Sequence, residues 1–162
     1  MTTPERIPAK VEGLARRAPE LDLPRKALDQ IVSWSELDTP ITLGQYVTNK
    51  YPEKALQLGI EAERVEGNIK DADELNDEEI QKVTLARYEN TDDDSVLMKG
   101  GKQYTYDDRI KGIRERNELG VDLMRVSRQS ISFIETLFKL GRVKSINDKP
   151  MPYPPELPKF EF

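Results

Sequence analysis

The chain has 162 residues, 36% hydrophobic and 34% charged, with a net charge of −5. A domain usually takes ~100–200 residues, so this length allows one domain with a thin core plus flanking segments. With neither Cys nor His, disulfides, thiol nucleophiles, zinc–thiolate sites and histidine acid–base chemistry are excluded. The acidic balance also excludes an overall cationic grip on nucleic acid.

Residues 1–23 carry Pro4, Pro8 and Pro19 without sustained periodicity and are expected to form an N-terminal arm. Met1–Lys10 has no apolar run of the signal-peptide kind, and no window approaches the ~18 apolar residues of a membrane span. A cytoplasmic protein without a membrane span is therefore expected.

A helical domain is expected over 24–140. Pro24 suits a first helical position, and Ala27, Leu28, Ile31 and Val32 follow at helical spacing, which predicts a helix over 24–34. Thr42-Leu43-Gly44-Gln45 has the form of a capping box and opens a helix over 43–50. Pro52 starts another, over 52–66, carrying Ala55, Leu56, Ile60 and Val65. Asn76 with Glu79 caps a helix over 77–89. Residues 96–106 can form a small β-hairpin, with Gly100-Gly101 supplying the positive φ angles of a primed turn. A phosphate loop does not fit there, because Val96 stands where its first Gly belongs and Gln103 where Ser or Thr belongs.

The strongest segment is 106–140, which no proline interrupts. As one helix it would be a rod of about 52 Å. Ile110, Ile113, Asn117, Gly120, Met124, Ser127, Ile131, Ile134 and Phe138 follow a coiled-coil seam. Leu119, Leu123, Val126, Phe133, Leu137 and Leu140 follow a second. A helix apolar on two faces fits the middle of a bundle, or one face on its own domain and one on a partner. Asn117 and Ser127 are polar positions in the seam, suited to setting register and oligomeric state. Phe133 and Leu137 belong to the face available to a partner. The expected fold is thus an all-α helical bundle around one long C-terminal helix, with extended arms at both ends.

Residues 141–162 form the C-terminal arm. Pro150, Pro152, Pro154, Pro155 and Pro158 impose an extended path, along which Tyr153, Leu157, Phe160 and Phe162 are spaced as anchors for a partner's grooves.

Charge is segregated. Residues 53–94 carry fourteen acids and five bases, and residues 99–128 eight bases and five acids. Either the two stretches offset each other internally, or the subunit docks by charge. The spaced acids at 71–79 and 90–94 invite a cation reading. An EF-hand counted from Asp71 finds Asn76 and Lys82 where it needs Gly and Glu; counted from Asn90 it finds Ser95 and Gly101. Lys99, Lys102, Tyr104, Tyr106, Arg109 and Arg116 form a basic, aromatic strip of the kind that holds single-stranded nucleic acid, though acids are interleaved with it. Paired carboxylates could serve a hydrolase, but nearly every acid sits in a polar stretch that works against a raised pKa.

These features point to a non-enzymatic structural or adaptor subunit of a larger assembly, such as a machine or a virus particle, with protein partners and no cofactor. The alternatives are an accessory nucleic-acid-binding subunit and, last, a carboxylate and divalent-cation enzyme.

Overall fold

In the computed structural model the described residues are 13, 20–89 and 97–147. The fold is dominated by helices but is not all-α: among the described residues from 20 onward, five α-helices are joined by three two-stranded sheets.

The first departure from the sequence reading lies at 24–34. Strand β1 (Leu21–Pro24) leads into a 3-10 turn (Arg25–Asp29) and strand β2 (Ile31–Trp34), which pairs antiparallel with β3 (Pro40–Thr42). Ile31, Val32 and Ser33 are all buried, so β2 has no solvent face. A short strand covered on both sides reads as a plain apolar run, which periodicity cannot tell from a helix. The Arg87 guanidinium donates to the Ile31 carbonyl at 2.9 Å and ties this strand to a later helix.

Helix α1 (Leu43–Lys50) begins at the expected box: Thr42 Oγ1 accepts from the Gln45 N–H at 3.2 Å, and Gln45 Oε1 from the Thr42 N–H at 3.0 Å. Helix α2 (Pro52–Leu58) is shorter than expected. Gly59, at φ 70°, takes the left-handed geometry that ends a helix, and residues 60–66 continue without one. Asn49 holds that continuation, bonding both the N–H and the carbonyl of Val65. Helix α3 (Asp77–Glu89) matches its expected span and its Asn76 cap. The hairpin forms from β4 (Leu97–Lys99) and β5 (Lys102–Tyr104), with Gly100 and Gly101 at φ 58° and 78°.

The 106–140 rod is two helices, α4 (Tyr106–Glu115) and α5 (Glu118–Lys139). Arg116 sits at φ 52°, in the left-handed region. Asn117 is extended, and its Oδ1 accepts from the Gly120 N–H at 2.9 Å. Asn117 is therefore a helix cap, not a register-setting seam residue. In one continuous helix Gly112 and Gly120 would lie about 12 Å apart. Instead their backbones touch, so closely that a Cβ on Gly120 would overlap the Gly112 carbonyl. The chain folds back on itself at 116–117.

The last departure is β6 (Val143–Asn147), expected as the start of the C-terminal arm. It pairs parallel with β1, from Leu21↔Val143 to Pro24↔Asn147. Ser145 Oγ donates to Asp22 Oδ1 across the pair at 2.6 Å. The core gathers Val32, Ile41, Tyr46, Val47, Leu75 and Val83 around Ile113 and the inner faces of α5, with Leu123, Ile131 and Leu137 fully buried.

Candidate functional site

The residues expected to face partners divide into three groups. Tyr153, Leu157, Phe160 and Phe162 lie outside the described residues, as do 90–94. Ser127, Phe133 and Leu137 are buried within the fold, so the second face of the long helix is covered by the chain's own elements. Asn117 is consumed by its cap.

The basic strip is dispersed. Lys102 and Tyr104 line a cleft of about 650 Å³ between β5, α4 and the start of α5. There Lys102 and Lys111 face Asp108, Glu115 and Glu118, so acids outnumber bases. Arg109 is buried, 4% exposed, with its guanidinium 5.5 Å from the Tyr88 ring centre. Arg116 turns the other way and donates twice to Gln81 Oε1, at 2.9 and 2.7 Å. Tyr106 is half-buried at the first position of α4, and Lys99 belongs to β4.

The charged stretches meet internally. Arg114 pairs with Glu89 at 3.3 Å, joining the basic stretch to the acidic one, while Lys70 and Glu79, 2.9 Å apart, pair within the acidic stretch. Among the described residues no cluster of three acids is placed to hold a metal ion.

The site that sequence reasoning missed is a polar knot at the 71–75 turn. Asp71 Oδ1 accepts from the Tyr46 hydroxyl at 2.7 Å and from Lys50 Nζ at 2.9 Å. Glu135 Oε2 accepts from the Ala72 N–H at 3.1 Å, and Arg128 donates to the carbonyls of Ala72 and Leu75. Glu135 is only 6% exposed, and its Oε1 is buried without a hydrogen-bond partner among the described residues. Burial, reinforced by the nearby Asp71, pushes its carboxyl well above the ordinary range despite the Ala72 N–H and Lys50. Burial likewise raises the Tyr46 hydroxyl, with Glu135 and Asp71 adding to it. Glu135 is the exception to the expectation that acids here stay solvated. Its signal was an acid on the same helix face as Ile131 and Phe138. Chemically the knot can hold a proton on a neutral carboxyl, and mechanically it pins the turn to α1 and α5.

A second cleft, of about 440 Å³, opens where the α1–α2 junction meets the end of α5. Lys50, Tyr51, Lys54, Phe138, Lys139 and Gly141 line it, with Glu53 as its acid. Lys50 is already paired to Asp71. Lys54 and Lys139 have no ion-pair partner among the described residues.

Among the described residues no helix is long and apolar enough to cross a membrane. No family model, no curated protein and no solved structure matches this chain.

Proposed function

We propose that the protein is a non-enzymatic structural or adaptor subunit of a larger protein assembly: a body that anchors two arms. The observation that carries this reading is the β1–β6 ladder. Residues before 21 join the first end of β1, and residues after 147 leave the far end of β6. Because the strands are parallel, tension drawn outward through both flanking segments pulls the strands in opposite senses. The rungs are then loaded in shear and must yield together, where a pair pulled from one end would open rung by rung. A body built this way suits a linker that transmits load between neighbours.

The C-terminal arm supplies the contacts, through Tyr153, Leu157, Phe160 and Phe162, the residue types that dominate protein interfaces. The partner is another copy of the chain or a different protein. Deleting 149–162 tests this, with mass by light scattering and helix content by circular dichroism. Assembly is expected to disappear while the helical signal stays. Assembly that survives the deletion would overturn the reading.

A further inference from the structure

We propose that the lysine-lined cleft between the α1–α2 junction and the end of α5 receives the acidic, aromatic segment 153–162 of a second copy of this chain. The proposal rests on the structural-subunit reading and gives the arm a receptor.

The cleft offers what such a segment needs. Lys54 and Lys139 stand at it without ion-pair partners among the described residues, beside Tyr51 and above Phe138. The segment places Glu156 and Glu161 among Tyr153, Leu157, Phe160 and Phe162, with Lys159 available to Glu53. Carboxylates would meet the two free ammonium groups while aromatic rings cover the apolar floor. Lysines without partners are the cheapest cations to engage, since no existing pair is broken.

Geometry favours a neighbour over the same chain. The cleft includes Gly141, just before β6, whereas the arm departs after Asn147. The ladder between them spans about 13 Å. Beyond it, five prolines lie between 150 and 158, and no glycine occurs in 148–162. Proline fixes φ and favours an extended path of ~3.1 Å per residue. A composition of this kind disfavours the reversal that would bring 153–162 back across the ladder to the cleft of the same chain. Donor arm and acceptor cleft are different surfaces, so the contact is head to tail and builds rings or chains of subunits.

The test is a charge swap in the full chain. Light scattering over a concentration series would compare wild type, Lys54→Glu with Lys139→Glu, Glu156→Lys with Glu161→Lys, and all four together. Circular dichroism checks that each variant keeps its helices. Each reversed pair is expected to raise the midpoint concentration of assembly ~10-fold or more, since two favourable pairs become repulsive. The fourfold variant is expected to recover most of that loss. Reversed pairs that assemble like wild type, or a fourfold variant that stays apart, would overturn the cleft as the receptor. If deleting 149–162 still abolished assembly in that case, the structural-subunit reading would stand without it. A wild type that remains monomeric throughout would overturn the second copy as the occupant of the cleft, and the structural-subunit reading would then rest on a different protein as the arm's partner.

Discussion

The 71–75 turn and the β4–β5 hairpin are both short, polar and rich in charge, yet the protein treats them oppositely. Side chains from α1 and α5 converge on the turn, and beside its local Asp71–Glu74 bonds five bonds there join residues distant in sequence. The hairpin is held by its own ladder, by the half-buried Tyr104 and by the Thr105 cap that starts α4. An isolated two-stranded hairpin is marginal in water. Polar residues therefore do two jobs here: in the turn they substitute for missing apolar bulk, and in the hairpin they keep a loosely attached element solvated. In a chain with so thin a core, ionisable groups are part of the scaffold.

The largest effect separating the two regions is expected at Arg128. Its guanidinium serves the carbonyls of Ala72 and Leu75, and hydrogen bonds from a charged donor are worth ~1.5–3 kcal/mol each. Arg128→Ala should cost about 3 kcal/mol in urea unfolding. Arg125→Ala, three residues earlier on α5, removes only an i,i+3 surface pair with Asp122 and should cost ~0.5 kcal/mol or less. Equal losses at the two arginines would mean that the turn is not pinned through Arg128.

The next effect depends on pH. Burial raises the Glu135 pKa above its ordinary value of 4.5, so the folded protein keeps a proton that the unfolded chain has released. That contribution is complete below about pH 4.5 and is lost as pH rises toward the raised native value. Within that window Glu135 alone removes about 1.4 kcal/mol of stability per pH unit. Glu135→Gln keeps an oxygen for the Ala72 N–H and cannot ionise. Its stability, measured by urea unfolding from pH 4.5 upward, should fall less steeply than that of wild type. Parallel profiles would mean that Glu135 is ionised in the native state.

Legibility in the sequence followed the same division. Helices α1 and α3 and the hairpin were readable because local chemistry decides them: Thr42 with Gln45, Asn76 with Glu79, and Gly100-Gly101 act within four residues. The break between α4 and α5 was hidden because both helices share one apolar period, and neither Pro nor Gly marks 116–117. It depends on a contact between Gly112 and Gly120 that exists only once the chain has folded back. Strand β2 was lost for a similar reason, since its second buried face is created by α3 and the Arg87 bond. Of the candidate site, the partner face of the long helix was misassigned because the residues that cover it come from the whole chain. The polar knot left one trace, Glu135 among apolar neighbours. Its partners, Asp71 and Ala72, lie more than sixty residues away.

The smallest expected effect falls on the hairpin, and it bears most directly on function. Met98 is 58% exposed, on a strand whose attachment to the body passes through β5. Replacing it with Thr removes apolar surface and adds a residue that suits a strand. With no covering neighbour among the described residues, the change in unfolding free energy should stay within ~0.5 kcal/mol. The same substitution should leave the assembled mass unchanged, because the arm and the lysine cleft lie on other elements. A loss of ~1 kcal/mol or more that appears only at concentrations where the protein assembles would show that Met98 is covered by a neighbour. The hairpin, not the cleft, would then be the surface that subunits use.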